Sequence, residues 1–444
     1  MRPGDLFFVL SLLVLGAHSF DITRYDNVGT YWGQNSQGAN HPNDTADYQQ
    51  TLSFYCQDNS TDVIPIAFLT KYFSTGGLPE INLGSTCNLN NGTFPGTSLY
   101  DCHNLASDIR HCQRKGKLVT LSLGGQLAND SLSDSDAGDF AETIWDLFLG
   151  GWSDTRPFGN AVLDGVDLDI ESGASPGYAT FVDRIRALSA DADKSYYITA
   201  SPQCPYPDAS LGGTLNSSWF DAVFVQFYDN PCGLQNFNQS SYWNFGIWDY
   251  WARYISPNKD IKVYIAALGG PVVNGTGYVP PAELGTIAVQ MRQNYPSFGG
   301  VMLWDASLAY ANGKTAQYIK ETLSLAGGQG FTFPPCSAYG YVDGQVYNAG
   351  DQVSYAEYIW EAQWWTDTPP THDPLGPWSE ISACQGTPPV APTVVPGTPV
   401  AGSLGNSGIG GFERASFLNM GSMLQVFFGF LALCAPVTAV GLFV

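Results

Sequence analysis

Residues 164–171 read Asp-Gly-Val-Asp-Leu-Asp-Ile-Glu (DGVDLDIE), a run in which acidic and aliphatic side chains alternate. Successive side chains of a β-strand point to opposite faces, so Asp167, Asp169 and Glu171 share one face and the aliphatic side chains share the other. Neighbouring carboxylates disfavour one another's ionisation, and burial disfavours it further. Because strained carboxylates mark active sites, the run predicts a strand that carries catalytic acids.

Two structural explanations of these acids fit the sequence less well. A calcium-binding loop needs a glycine at its sixth position and polar residues between its ligands, whereas Val, Leu and Ile intervene here. A solvated acidic edge strand needs cations nearby, and the chain has 18 Lys and Arg residues against 40 Asp and Glu.

Eight short β-branched or aliphatic runs recur with helix-length segments between them, which predicts βαβ units and a parallel sheet. The runs are NVGTYW (27–32), VIPIAFL (63–69), KLVTLSLGG (117–125), VLDGVDLDI (162–170), SYYITAS (195–201), DAVFVQFY (221–228), KVYIAALGG (262–270) and GGVMLWD (299–305). Eight such strands indicate one α/β (β/α)8 TIM barrel, whose active site lies at the carboxyl ends of the strands. Glu171, Tyr228 and Trp304 each end a predicted strand, so we expect them to meet at one rim.

These motifs resemble glycoside hydrolase family 18, and within it the short class III chitinases of fungi and plants. The acidic run matches the family's DGxDxDxE signature, and four further segments agree in order: TyrTrpGlyGlnAsn (31–35), SerLeuGlyGly (122–125), GlnPheTyrAsp (226–229) and GlyValMetLeuTrpAsp (300–305). The resemblance covers about residues 25–325. It implies a retaining, substrate-assisted mechanism in which the substrate's N-acetyl group is the nucleophile.

The resemblance also implies roles for four catalytic residues. Glu171 matches the general acid/base, Asp169 the residue that orients the acetamido group, and Asp167 the inner carboxylate that shares a proton with Asp169. Independently of the family, two neighbouring aspartates do not both ionise easily, so we expect their titration to be coupled. Tyr228 matches the tyrosine whose hydroxyl restrains the acetamido group; the alternative is a core tyrosine.

Three further residues are candidates for substrate binding in the barrel. Trp304 matches the tryptophan at the floor of the family's pocket, and a buried barrel-capping tryptophan is the alternative. Tyr31 and Gln34 lie at the end of the first predicted strand, where they would line the cleft. The seventh strand departs from the class III pattern, since residues 264–270 read TyrIleAlaAlaLeuGlyGly where relatives usually show a Leu-Pro-Ala ending.

Residues 336–384 differ in character, because they are rich in Tyr and Trp and poor in aliphatic residues. They resemble small chitin-binding modules of carbohydrate-binding families 5 and 12, through ValTyrAsnAlaGlyAsp (346–351) and TrpTrpThr (364–366). The early tryptophan of those modules is here Tyr339 or Tyr341. We expect one of Trp364 and Trp365 to be buried and the other to contact polymer, since neighbours on a strand face opposite sides. The alternative is that both fill a small core.

Both ends of the chain carry targeting features. Residues 1–19 place Arg2 before an apolar run and small residues, as in a cleaved secretory signal. Residues 423–444 are apolar and lack a basic residue, which favours a removed GPI signal over a spanning helix. The predicted organisation is therefore a signal peptide (1–19), a catalytic barrel (20–326), a chitin-binding-like module (336–384), a Pro/Gly-rich spacer with the attachment region (385–411) and a removed tail (412–444).

Cysteine and glycosylation patterns agree with secretion. Eight cysteines remain once Cys434 leaves with the tail, and an even number in a secreted chain implies disulfides. The class III resemblance implies that Cys87–Cys102 nests inside Cys56–Cys112, followed by Cys204–Cys232 and Cys336–Cys384. Sequons occur at Asn43, Asn59, Asn91, Asn129, Asn216, Asn238 and Asn274.

Taken together, these features predict a monomeric, GPI-anchored endochitinase of the fungal plasma membrane and cell wall, acting on β-1,4-linked N-acetylglucosamine polymers. A net charge of -22 argues against nucleic acid as a partner. The sequence suggests neither a metal nor another cofactor. Two alternatives stay open: an endo-β-N-acetylglucosaminidase acting on N-glycans, and a chitinase-like lectin or wall protein that binds chitin without cleaving it.

Overall fold

A computed structural model describes residues 20–126, 128, 130–173 and 176–390. The predicted signal peptide, the removed tail and the spacer beyond residue 390 lie outside the described residues, as does the sequon at Asn129. No helix among the described residues is long and apolar enough to cross a membrane.

Eight parallel strands close into a barrel, which confirms the predicted (β/α)8 fold. The strands of this sheet are β1 (Asn27–Thr30), β2 (Val63–Lys71), β3 (Glu80–Ile81), β4 (Leu118–Gly124), β5 (Gly165–Asp169), β6 (Tyr197–Ala200), β7 (Ala222–Gln226), β8 (Lys262–Leu268) and β9 (Phe298–Trp304). Strand β1 pairs with both β2 and β9 and thereby closes the ring, while the short β3 runs antiparallel to β2.

Helices surround the barrel and bury their apolar sides against it. In the helix Asp134–Phe148 the apolar residues recur every three or four positions, and the Ser133 hydroxyl accepts a hydrogen bond from the Asp136 N–H at the helix start. The helices are α1 (Ser36–Asn40), α2 (Leu52–Tyr55), α3 (Ala106–Arg114), α4 (Asp134–Phe148), α5 (Gly177–Ser189), α6 (Gly212–Ser217), α7 (Phe245–Tyr250, continued by a π-helical turn, Trp251–Ile255), α8 (Pro281–Asn294), α9 (Ala306–Ala311) and α10 (Thr315–Ala326).

The alternation along β5 divides its side chains between two environments. Val166, Leu168 and Ile170 belong to the large apolar core between strands and helices, whereas Asp167 and Asp169 face the barrel interior, where their hydrogen-bond partners lie. Gly165 lets β5 approach β6 closely, because a Cβ at its φ of 153° would collide with the carbonyl oxygen of Tyr197.

Four disulfides join the pairs that the family resemblance implies: Cys56–Cys112, Cys87–Cys102, Cys204–Cys232 and Cys336–Cys384. The first two cross-link the segments around α2 and α3, the third fixes the loops after β6 and β7, and the fourth closes the C-terminal segment.

The C-terminal segment folds as an antiparallel sheet of three strands, β10 (Gln352–Tyr355), β11 (Tyr358–Ala362) and β12 (Trp378–Ala383). Trp360 and Trp378 fill its core and are 0% and 3% exposed. The expectation that Trp364 or Trp365 is buried is wrong: they are 50% and 59% exposed. They lie in an irregular bend after β11, so the alternation of a strand does not apply to them.

This sheet packs directly against the barrel, and both belong to one compact unit. The Tyr358 hydroxyl donates to Asp249 Oδ2 at 2.7 Å, and the Tyr295 hydroxyl donates to the backbone oxygen of Glu380 at 3.0 Å. Gly246 allows the approach of β12 to α7, since a Cβ there would collide with the Glu380 carbonyl oxygen. The contact is therefore built from buried and complementary groups of both parts.

Candidate active site

Asp167 lies at the base of the acidic row and is fully buried. Its carboxylate accepts hydrogen bonds from the hydroxyls of Ser122 (2.7 Å), Thr199 (2.7 Å), Tyr31 (2.9 Å) and Ser201 (3.2 Å). Burial raises the pKa of Asp167, and these hydroxyl donors oppose the rise by stabilising the charged form. The interior of the barrel thus supplies a polar base under the acids.

Asp169 is the next acid outward and is 4% exposed. Burial, and then the charges of Glu171 and Asp167, hold its pKa well above its ordinary value. The Gln226 amide donates to Asp169 Oδ1 at 2.9 Å and to the backbone oxygen of Ser201 at 2.9 Å. Asp169 therefore tends to carry the proton that the acidic row retains.

Glu171 follows β5 and lies in the wall of a cavity at the carboxyl ends of the strands. Burial raises its pKa, hydrogen bonding by Gln226 opposes that rise, and the negative charges of Asp229 and Asp208 add to it. Asp208 is itself buried and accepts from the backbone N–H groups of Gln203, Ser210 and Leu211. A carboxyl whose pKa is raised in this way keeps its proton to higher pH, which suits it to act as a proton donor.

The cavity has a volume of about 650 Å³ and contains groups from several strands. Asp169, Glu171, Tyr228, Trp304 and Gln34 all line it. Trp304 stacks on Phe68 with ring centroids 5.6 Å apart, and Gln34 is held by the backbone oxygens of Ala67 and Asn82. Acids, a phenol and an indole thus face one space large enough for a sugar oligomer.

Two groups of residues with expected binding roles lie elsewhere. Tyr31 is 3% exposed and lies beneath the cavity, where its hydroxyl contacts Asp167. Trp364 and Trp365 are on the surface of the C-terminal sheet and do not line the cavity.

Gln226 has a central position that the sequence reasoning assigned to no function. It belongs to the segment 226–229 and lies two positions before Tyr228. The alternation of a strand therefore predicts that the side chains of Gln226 and Tyr228 face the same side. Two of the hydroxyls around Asp167 were also missed, since Thr199 and Ser201 lie in a predicted strand (195–201) without a family motif. Among the described residues, no group of three or more His, Cys, Asp or Glu residues is placed to hold a metal ion.

Chemically, the site places a proton donor beside a buried, proton-retaining carboxyl and a tyrosine hydroxyl. Burial and the neighbouring negative charges raise the pKa of Tyr228 well above its ordinary value, so the phenol stays protonated and can donate a hydrogen bond. A (β/α)8 barrel with such a row of carboxylates at its carboxyl rim is a protein of the glycoside hydrolase class.

Comparison with known proteins agrees with this class, and the chain belongs to Glycosyl hydrolases family 18, whose match covers residues 27–367. Chitinase 1 of Rhizopus niveus is 48% identical over 287 residues, which are 64% of this chain and 55% of that protein. The chain spans about half the length of the curated relatives it matches.

Two solved structures show the same barrel. A chitinase from Ipomoea carnea is 30% identical, with a TM-score of 0.55 over 67% of this chain and 99% of that one. A xylanase and alpha-amylase inhibitor protein from Scadoxus multiflorus is also 30% identical, with a TM-score of 0.54 over 66% of this chain and 97% of that one. The barrel therefore occurs both in an enzyme and in an inhibitor, so the function must be argued from the site.

Proposed function

We propose that this protein is an endochitinase that cleaves β-1,4 linkages of N-acetylglucosamine polymers with retention of configuration. The observation that carries the proposal is that Glu171, Asp169, Tyr228 and Trp304 line one cavity, while burial and like charges favour protonation of the two acids. Bound chitin oligomers would lie across this cavity.

In the proposed mechanism Glu171 donates its proton to the glycosidic oxygen as the bond to C1 breaks. The carbonyl oxygen of the substrate's own acetamido group attacks C1 and forms an oxazolinium ion. Asp169 and the Tyr228 hydroxyl hold the acetamido group in position for this attack. The Glu171 carboxylate then takes a proton from water, which opens the ring and restores the starting configuration.

Asp167 has a supporting part in this proposal. Its four hydroxyl donors stabilise negative charge at the base of the row, which favours a proton on Asp169 when the site is at rest. Movement of that proton between the two aspartates would let negative charge develop beside the oxazolinium nitrogen when it forms.

Trp364 and Trp365 are proposed to contact insoluble chitin. Their exposure supports this, because large aromatic side chains in a bend offer flat apolar faces to sugar rings. In this proposal residues 336–384 act as the polymer-binding part and residues 20–326 as the catalytic part of a monomer.

Secretion and attachment to the fungal cell surface are also proposed. Residues 1–19 would be removed on export, residues 385–411 would act as spacer and attachment region, and residues 412–444 would be exchanged for a glycolipid. The absence of Lys and Arg from residues 423–444 supports this. A phosphatidylinositol-specific phospholipase should then release the protein from membranes, and recovery of the 423–444 peptide from membrane-bound protein would contradict the exchange.

Product analysis on defined N-acetylglucosamine oligomers tests the activity. Internal cleavage with initial release of the β-anomer is expected, and oligomers of unacetylated glucosamine should be poor substrates. Binding without any product would instead show a lectin, and cleavage confined to the chitobiose core of N-glycans would show an endoglycosidase. Rapid cleavage of fully deacetylated oligomers would contradict the acetamido nucleophile.

A further inference from the structure

A second cavity, with a volume of about 210 Å³, lies in the outer layer of the barrel and shares no lining residue with the catalytic cavity. It is formed by α2, the loop that follows it, and the segment from α9 to α10. Its lining residues are Thr30, Phe54, Tyr55, Gln57, Asp58, Ser60, Thr61, Ala306, Ala309, Tyr310, Lys314, Ala316 and Gln317. We refer to it as the α2–α10 cavity.

Aromatic rings form one side of the α2–α10 cavity. Tyr310 makes edge contacts with Phe54 and Tyr55, with ring centroids 5.0 and 6.3 Å apart, and remains 38% exposed. Such a cluster offers an apolar wall that solvent reaches, which is the kind of surface on which the C–H groups of a sugar ring can pack.

Polar groups surround the rings, and only some of them satisfy one another: Asp58 Oδ1 accepts from the backbone N–H of Ser60 at 2.8 Å and from its hydroxyl at 2.5 Å. Thr30 is 2% exposed, and its hydroxyl has no hydrogen-bond partner among the described residues. Asp58 and Lys314 bring one charge of each sign, and neither forms an ion pair within the described part of the chain. Opposite charges disfavour a strongly charged ligand of either sign and favour a neutral ligand rich in hydroxyl groups.

One glycosylation sequon adjoins this cavity directly. Asn59, Ser60 and Thr61 form the acceptor pattern, and Asn59 is exposed between Asp58 and Ser60, both of which line the cavity. Asn59 is not itself a lining residue, but sugar attached to it would be tethered to the loop that carries Asp58 and Ser60, and could reach the aromatic wall without a search through solution.

We propose that Asn59 carries an N-glycan whose first N-acetylglucosamine binds in the α2–α10 cavity against Tyr310. The donor is a lipid-diphosphate-linked oligosaccharide. Transfer forms the bond between Asn59 Nδ2 and sugar C1, breaks the bond from C1 to the lipid diphosphate, and gives the amide proton to a base of the transferring enzyme. The proposal needs entry into the secretory pathway and is independent of chitin hydrolysis.

The test uses the full chain secreted from a glycosylating eukaryotic host. Glycopeptide mass spectrometry should find a glycan on Asn59. N59Q should raise the equilibrium constant for unfolding by about tenfold, which is the effect of losing one aromatic contact. Trimming the glycan to a single N-acetylglucosamine with an endoglycosidase should leave stability unchanged. N43Q is the matched control, since Asn43 is an exposed sequon residue whose neighbours Pro42 and Asp44 do not line the cavity.

A double-mutant comparison assigns the effect to the cavity. In a Y310A background, N59Q should no longer lower stability, because the sugar has lost its aromatic partner. If N59Q is not secreted, an amidase can remove the whole glycan from folded protein; because this hydrolysis leaves an aspartate at position 59, its effect is compared between the Tyr310 and Y310A proteins, which both acquire that charge.

Three results would overturn the proposal: an unmodified Asn59, equal effects of N59Q and N43Q, or an N59Q effect that persists in Y310A. Free N-acetylglucosamine provides the remaining comparison. If Asn59 is unmodified and free N-acetylglucosamine raises the stability of N59Q but not of Y310A, the cavity binds soluble sugar and the attached-glycan proposal is wrong.

Discussion

At the scale of single residues, the acid at the base of the barrel and the acids that line its cavity have different surroundings. Asp167 is surrounded by hydroxyl donors, whereas Asp169 and Glu171 have one amide, Gln226, between them and further acids around them. Negative charge is thus stabilised at the base and disfavoured toward the cavity. This gradient is what makes the outer acids suitable to hold and transfer protons.

Glu171→Gln should reduce turnover of N-acetylglucosamine oligomers by about 10²-fold to 10⁴-fold, because the amide keeps the shape but has no transferable proton. Affinity for the oligomers should change little. Steady-state kinetics and titration calorimetry measure the two quantities. Glu283→Gln, at an exposed position of α8, is the control and should behave like the wild type. Substantial turnover by Glu171→Gln would exclude it as the proton donor.

The pH profile should respond to Asp229, whose negative charge helps to raise the pKa of Glu171. Asp229→Asn removes that charge, so the pKa of Glu171 should fall and the alkaline limb of kcat/KM should move to lower pH. The side-chain oxygen of the introduced asparagine can still accept the hydrogen bond from the Thr276 N–H, so the loop contact is retained. Asp191→Asn is the control for a charge change away from the site, since Asp191 is exposed in the loop between α5 and β6, at the amino ends of the strands. An alkaline limb that stays in place in Asp229→Asn would show that Glu171 does not set it.

At the scale of elements, recurrent β-branched or aliphatic runs separated by helix-length segments made all eight barrel strands predictable, and strand parity made the faces of Asp167 and Asp169 predictable. The same reasoning failed at Trp364 and Trp365, because it assumed a strand where the chain bends. Gln226 showed no signal of charge or rarity that would distinguish it from a core amide. The disulfide pairs required the family resemblance, since spacing alone leaves many pairings open.

Contacts between distant elements were outside the reach of the sequence. Tyr358 and Asp249 are 109 positions apart, and neither carries a local motif. Asp249 is fully buried and also accepts from the Ser297 hydroxyl at 2.6 Å, with Arg253 at 3.6 Å. Only the folded chain brings these groups together at the join between α7 and β11.

Tyr358→Phe should destabilise the protein by about 1–3 kcal/mol, because Asp249 stays buried with one hydrogen-bond donor fewer. Thermal or denaturant unfolding measures the change. Tyr339→Phe, at an exposed tyrosine of the same segment, is the matched control and should be near neutral. Two separate unfolding transitions in the wild type would show that the sheet and the barrel are not stabilised together.

For the whole molecule, the contact between sheet and barrel changes what a deletion should do. If residues 336–384 formed a separate module, their loss would weaken binding to insoluble chitin and spare turnover of short oligomers. The structure indicates otherwise, because the deletion also removes Tyr358 and β12 and exposes the apolar surface of α7. Stability and oligomer turnover should therefore both fall.

Trp364→Ala combined with Trp365→Ala separates the surface role from the structural one. Both side chains are at least half exposed, so the unfolding temperature and oligomer turnover should change little while retention on insoluble chitin falls. Pull-down on chitin beads, with Trp152→Ala as the control at another exposed tryptophan, measures retention. Unchanged retention in the double variant would remove these residues from the proposed polymer contact.

The join between α7 and the C-terminal sheet has a consequence for how a long polymer would be handled. A module on a flexible linker gives up its freedom to turn relative to the enzyme each time both parts engage one polymer, and that loss weakens joint binding. Here the Tyr358–Asp249 and Tyr295–Glu380 contacts have already removed that freedom during folding. A polymer bound to the sheet would meet the catalytic cavity at one fixed angle. The fixed position of the sheet would therefore determine the direction along the polymer in which the enzyme acts.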